Sequence, residues 1–349
     1  MPITLRDVTI ANRIWMSPMC QYSANDDGLP TDWHLVHYGA RAMGGVGLIL
    51  VESTAIGPHH RSTRADLGIW NEQQALAHRR LTSFMTEAGV IPAAQLQCAG
   101  RKGSHHRPWE SGGQNGAVLP ESGGWTPLAP SPIPFGDLAT PREASLDDIE
   151  EVIASFAHPA AMSDLAGYEA VEIHAGHGYL LHQFLSPLAN QRTDRYGGTL
   201  ENRMRLALRV AEAVRAEFPQ GKPVFVRITA TDWADGGLTI DEALQFAKEL
   251  SVIGIDLLDV TSGALLPTAP PPAREGVNVE FARMLKDASG LPVAPVGSIG
   301  AHELIEGVLD RGDSDAVFVG RPLLRDPYFA LRRPDLDTAA WPRQYHRAL

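Results

Sequence analysis

The stretch Glu169-Ala170-Val171-Glu172-Ile173-His174-Ala175-Gly176-His177-Gly178-Tyr179 decides the fold. Its first five residues form a largely apolar run that reads as a short buried β-strand. Two imidazoles and a phenol follow directly at the C-terminal end. Histidines three apart, just past a strand, can aim both ring N–H groups at one spot, where a substrate oxygen gaining negative charge would be held. Tyr179 places a weak acid beside that spot. The same pair also reads as half of a metal site, which would make a metal-dependent hydrolase or lyase with His174 and His177 as ligands.

The pattern of a strand followed by polar residues recurs along the chain. Apolar β-type runs are read at Arg13–Met19, Gly47–Ser53, Pro92–Gln97, Ala170–His174, Val224–Thr229, Leu257–Thr261, Val293–Gly297 and Ala316–Gly320. Helical patterns fall between them, at Asp32–Met43, Glu72–Ala88, Ser145–Ala166, Glu201–Glu217, Ile240–Ile253, Val279–Ala288 and Ala301–Arg311. Ser145 before Leu146-Asp147-Asp148, and Thr239 three residues before Glu242, are helix-start signals. Eight strands alternating with helices predict a parallel sheet closed as a TIM barrel, with an open doubly wound sheet as the alternative. The expected fold is therefore α/β, a single (β/α)8 barrel domain over residues 1–349 with an N-terminal β-hairpin and long lid loops after strands three and six.

Composition narrows the function. With 349 residues, 44% hydrophobic and 20% charged, the chain can bury a large core. A net charge of −11 excludes neither solubility nor small ligands but argues against nucleic-acid and anionic-membrane partners. The start Met1-Pro2-Ile3-Thr4-Leu5-Arg6 does not read as a signal peptide, and two cysteines, Cys20 and Cys98, make no disulfide framework, so the expected place is the cytoplasm.

Residues 103–144 and Ala264–Val277 are Gly- and Pro-rich loops after the third and sixth strands, the first carrying Trp109 and Trp125. Loops this long in a compact domain serve as lids or binding loops. Chemistry-bearing residues gather at strand ends: Ser17-Pro18-Met19-Cys20, Gln95, Lys102, His174, His177, Tyr179, Arg227, Gly297-Ser298 and Gly320-Arg321. The glycines after strands seven and eight mark the usual phosphate corner of the fold, where Arg321 adds a bidentate anion partner.

Five ordered motifs carry a family resemblance: Met16-Ser17-Pro18-Met19-Cys20-Gln21-Tyr22, Ala99-Gly100-Arg101-Lys102, His174 to Leu180, the run from Phe184 to Arg203, and Gly320-Arg321-Pro322-Leu323-Leu324-Arg325-Asp326-Pro327. With them the chain resembles the Old Yellow Enzyme family of flavin-dependent ene-reductases, in its thermophilic-like branch. The resemblance implies a noncovalent FMN over the barrel mouth, NAD(P)H as hydride donor and an activated alkene as acceptor. It implies flavin contacts from Ser17, Pro18, Met19, Cys20, Ser53, Gln95 and Arg227, and phosphate contacts from Gly297, Ser298, Gly320 and Arg321. His174 and His177 would bind the substrate carbonyl or nitro oxygen. Tyr22 and Tyr179 would line the pocket, Tyr179 as the acid, and Cys20 would tune the flavin.

The resemblance also implies a homodimer or homotetramer in which Arg347, within the segment 335–349, reaches a neighbouring protomer's site. Three departures are visible. Cys98 stands where the branch usually has histidine, Ser53 where a small apolar residue is common, and Leu349 where a terminal aromatic is often found.

Overall fold

A computed structural model describes residues 1–110, 116–333 and 341–348. The expected Arg347 lies among them, whereas 335–340 and Leu349 of the C-terminal segment lie outside the described residues.

Strands β1 (Ile3–Leu5) and β2 (Val8–Ile10) pair antiparallel as the expected hairpin. Then come β3 (Ile14–Met16), helix α1 (Asp32–Met43), β4 (Leu48–Ala55), α2 (Glu72–Glu87) and β5 (Ile91–Gln97). Inside the long loop two-residue strands β6 (Leu128–Ala129) and β7 (Arg142–Glu143) pair parallel. The second half runs α3 (Leu146–Leu165), β8 (Ala170–Ala175), α4 (Leu180–Leu185), α5 (Leu200–Glu217), β9 (Val224–Thr229), α6 (Ile240–Ile253) and β10 (Leu257–Thr261). It closes with α7 (Val279–Ser289), β11 (Val293–Pro295), α8 (His302–Asp310), β12 (Val317–Val319) and α9 (Arg321–Arg325).

Eight strands stand in the order β11-β10-β9-β8-β5-β4-β3-β12, and each neighbouring pair is parallel. The ring closes between β11 and β12, where the Asp315 and Ala316 N–H groups donate to Val293 O at 2.9 and 3.4 Å. All eight strands fall where the sequence places them. Three are shorter than expected, because Ser17 to Cys20, Gly297 and Gly320 leave the ladder to shape the barrel mouth. Helices α4 and α9, six and five residues long, are too short to show a helical period.

The strands read as continuous apolar runs because both faces are covered. The outer face packs on the helices; Ser145 and Thr239 each start theirs with the reciprocal capping box, worth about 1 kcal/mol. The inner face forms a second core of Trp15, Leu48, Leu50, Phe225, Leu257 and Phe318, stoppered by Leu5, Val8 and Ile10 of the hairpin. Trp15 stacks on Phe225 at 6.0 Å and meets Phe318 edge-on at 5.5 Å.

Two residues further along four of the strands, the inward position changes character. Ala93 gives way to Gln95, Ala170 to Glu172, Phe225 to Arg227 and Leu257 to Asp259, and all four polar residues are buried. The barrel is thus dry below and polar at its C-terminal mouth.

Candidate active site at the barrel mouth

The polar layer is a single hydrogen-bonded belt. Ser53 Oγ donates to Gln95 Oε1 at 2.7 Å, and Gln95 Nε2 donates to Glu172 Oε1 at 2.7 Å. Arg227 Nε donates to Asp259 Oδ2 at 2.7 Å, and its Nη2 donates to Ser17 Oγ at 2.9 Å. Glu172 Oε1 lies 3.7 Å from Arg227 Nε. Burial alone would lower the Arg227 pKa; the carboxyls packed against it, Asp259 first, outweigh it, so the guanidinium is held charged. Sequence reading found Ser17, Ser53, Gln95 and Arg227 but missed Glu172 and Asp259. The available signal was positional: Glu172 sits two residues before His174, on the same strand face, and Asp259 is the register partner of Arg227.

The imidazole pair stands above this belt. The His174 and His177 rings meet nearly edge-on at 5.3 Å, and His174 meets Tyr179 at 4.9 Å. The Gly176 N–H donates to His174 Nδ1 at 3.2 Å, which puts the His174 proton on Nε2. His177 Nε2 lies 2.8 Å from Thr261 Oγ1, and the His177 N–H donates to Thr229 Oγ1 at 3.1 Å. Burial, then the neighbouring His177, pushes the His174 pKa well below the usual imidazole range; burial, then Arg227, does the same to His177. Both rings are neutral, so each carries one N–H to offer.

The turn that aims them is pinned from below. His182 Nδ1 accepts from the Gly178 N–H at 2.8 Å, and His182 Nε2 is held by Asp232 Oδ1 at 2.8 Å. Gly178 has φ +72°, and a Cβ there would lie 2.5 Å from Ala264 O, so only glycine fits. Tyr179 follows, with the Leu180 N–H donating to Cys98 O at 3.0 Å. Burial and then Cys20 raise the Tyr179 pKa, which keeps the phenol protonated.

Both long loops meet over the mouth. Lys102 Nζ donates to His177 O at 2.7 Å and to Ala264 O at 2.6 Å, and Arg101 Nη2 donates to Leu265 O at 2.8 Å. The Lys102 ammonium lies 4.2 Å from the Phe135 ring centroid and 5.5 Å from that of Tyr179. Burial, then Arg101, pulls its pKa down to about 7. Trp109 of the first loop meets the Tyr22 ring edge-on at 5.9 Å, which places a lid residue against the expected pocket residue.

Cys20 and Tyr22 sit on a segment anchored by Glu52, whose Oε2 accepts from the Gln21 N–H at 2.6 Å and whose Oε1 accepts from Tyr38 Oη at 3.1 Å. A register shift between Val51 and Ser53 frees Glu52 to face these partners instead of the barrel interior. Burial, then Asp66, raises the Cys20 thiol; Cys20, then burial, raises the Tyr22 phenol. Cys98 is buried beside His60 Nδ1 at 3.0 Å, and burial pushes its thiol up to about 12.

The phosphate corner is built from the ends of β11 and β12. Gly297 has φ +137°, and a Cβ on it would lie 2.8 Å from Asn278 Nδ2. Ser298 and Arg321 are exposed beside it, and a Cβ on Gly320 would come 3.5 Å from Met19 Sδ, so the corner adjoins the Pro18–Cys20 segment. A polar floor with Gln95 and Arg227, next to an exposed cation and open backbone, fits a planar ring carrying an anionic tail. Arg347 is exposed and is not brought to its own mouth: Trp341 to Tyr345 pack near Asn12, Arg13 and Val90, at the opposite rim. Among the described residues no three His, Cys, Asp or Glu side chains gather as metal ligands. The same residues include no helix long and apolar enough to cross a membrane.

Comparisons agree with this geometry. The sequence pattern of the NADH:flavin oxidoreductase / NADH oxidase family matches residues 1–334. An NADPH dehydrogenase from Bacillus cytotoxicus is 42% identical over 330 residues, covering 94% of this chain and 89% of that protein. An old yellow enzyme homologue from Zymomonas mobilis superposes with a TM-score of 0.79 at 27% identity, covering 99% of this chain and 97% of that one. A 2-naphthoyl-CoA reductase superposes at 0.84 with 26% identity over 94% of this chain, which spans 50% of that longer protein.

Proposed function

The chain belongs to the NADH:flavin oxidoreductase / NADH oxidase family, an FMN enzyme of the Old Yellow Enzyme type with NAD(P)H as donor, and on that premise we propose that it reduces the activated C=C bond of α,β-unsaturated carbonyl or nitro compounds. The observation that carries this reading is the pair of neutral imidazoles, His174 and His177, beside the neutral Tyr179 phenol at one end of the pocket.

Bound FMN supplies the hydride, taken from NAD(P)H and passed to carbon. The protein's task is the charge that then appears on the substrate. Hydride arriving at the β-carbon drives negative charge onto the carbonyl or nitro oxygen. His174 and His177 donate their N–H groups to that oxygen; by analogy with a measured oxyanion donor, each is worth about 3 kcal/mol. Tyr179 gives its proton to the α-carbon, a step worth ~10²–10⁴-fold. Tyr22, with Trp109 against it, would line the same pocket, and Arg227 would offset negative charge on the cofactor. Gly297, Ser298, Gly320 and Arg321 would hold its phosphate.

Donor and acceptor use the same site in turn, which makes the kinetics ping-pong. The chain acts as a homodimer or homotetramer, and Arg347, turned away from its own mouth, completes the site of a neighbour. The deciding experiment is an anaerobic absorbance titration with NADPH and then cyclohexenone. Flavin absorbance that bleaches with the nicotinamide and returns with the enone is expected; bleaching without return would overturn the alkene reading.

A further inference from the structure

We propose that Glu172 and Asp259 hold one proton between them, Glu172 as a neutral carboxylic acid donating to Asp259, so that the belt beneath the cofactor carries one positive and one negative charge. Both carboxyls converge on a single nitrogen. Arg227 Nε lies 2.7 Å from Asp259 Oδ2 and 3.7 Å from Glu172 Oε1, and all three residues are buried. One guanidinium balances one carboxylate. Among the described residues a second buried anion at the same place has no further cation to meet it.

The remaining oxygens say where the proton is. Glu172 Oε2 and Asp259 Oδ1 are buried, and neither has a hydrogen-bond partner among the described residues. An ionised carboxylate only accepts, so two such oxygens on adjacent groups leave both unsatisfied; one proton between them satisfies both. Glu172 is the better carrier. Its contact with Arg227 is the longer one, and its Oε1 is already occupied by the Gln95 amide. Asp259 has the close guanidinium contact and keeps the charge. Burial, and then Asp259, pushes the Glu172 carboxyl well above the usual carboxylate range; burial raises Asp259 too, and Arg227 pulls it back. The groups acting on the pair are thus Arg227, Gln95 and each other, while Arg227 in turn faces Ser17 and Cys20.

The consequence concerns the charge under the flavin. With both carboxyls ionised the belt would be net negative and would oppose negative charge arriving from above. With the proton shared it is neutral, and the guanidinium nearest the mouth is not overcompensated. This consequence rests on the FMN reading; the shared proton does not.

The test is infrared difference spectroscopy on FMN-loaded protein at neutral pH, with carbon-13 glutamate labelling to isolate glutamate carboxyls. Wild type is expected to show a protonated glutamate carboxyl band that disappears in Glu172→Gln and also in Asp259→Asn, where Glu172 takes over the negative charge beside Arg227. Glutamine at 172 can still accept from Gln95 and donate to Asp259, so this variant should fold and melt as wild type does. Midpoint potentials give the second readout. Each single variant keeps one negative charge and should match wild type, whereas the double variant loses its only anion and should shift upward. A wild type lacking the band, or a Glu172→Gln potential as high as that of the double variant, overturns the proposal. The infrared outcome is independent of the cyclohexenone assay, so failure of one leaves the other standing.

Discussion

Thr261 Oγ1 lies 2.8 Å from His177 Nε2, a contact in which the hydroxyl can either donate or accept. When the threonine hydroxyl donates, Nε2 accepts and the ring proton moves to Nδ1, where it is available to substrate. Thr261→Val removes that contact while nearly preserving shape. A single hydrogen bond of this kind is worth about 0.5–1.5 kcal/mol. We expect kcat/KM for the enone to fall roughly 3- to 10-fold on that basis, with reduction by NADPH unchanged in stopped-flow traces. Equal losses in both half-reactions would assign Thr261 to the cofactor instead.

Removing an imidazole is costlier. His174→Ala should lower the rate of enone-driven reoxidation by about 10²–10³-fold, the scale for losing one oxyanion donor. Because burial holds both imidazoles neutral, the wild-type rate should show no loss as pH falls through the ordinary histidine range. A descending limb centred near ~6.5 would mean that one of them is charged in the working enzyme.

Gly178→Ala tests the turn itself. The new Cβ would be placed 2.5 Å from Ala264 O on a backbone with φ +72°. Left-handed strain alone costs about 1–2 kcal/mol, before any displacement of the loop. A lower melting temperature together with weaker enone binding is expected; a variant that matches wild type in both would show that the turn relaxes freely.

Stability should fall in mild acid, and the sign follows from three histidines outside the site pair, His37 and His78 buried and His60 half-buried. His37 resists protonation down to about 3, and His78 and His60 down to about 4, burial being the main cause for each. In the unfolded chain the same side chains take a proton near pH ~6.5. Below that pH the unfolded state binds more protons, so stability is fully present above it and is lost as pH falls, by about 1.4 kcal/mol per pH unit for each histidine. Melting curves between pH 7 and pH 5 check this, and His78→Gln should flatten the slope by one histidine's share.

The barrel was legible because strands buried on both faces leave apolar runs, such as Leu48 to Val51, between helices with marked starts at Ser145 and Thr239. The rim residues were legible because they follow those runs. Glu172 and Asp259 were harder to read, since a polar residue inside a strand shows its face only by comparison with a residue two positions on, such as His174, or with the register of neighbouring strands. The role of Glu52 depends on a register shift, which has no local sequence mark. The pairing of Cys98 with His60 joins two loops far apart in sequence, and spacing alone cannot report it.

The two lid loops are fastened to one another at their roots. Lys102 and Arg101, at the start of one, grip the Ala264 and Leu265 carbonyls at the start of the other. Their shapes are therefore inherited together. A chimaera that receives only one of them from a relative would set the amine against carbonyls placed by a different loop, and would unsettle the His177 carbonyl held by the same amine. Grafts that alter the range of accepted substrates should transplant both segments as a matched set.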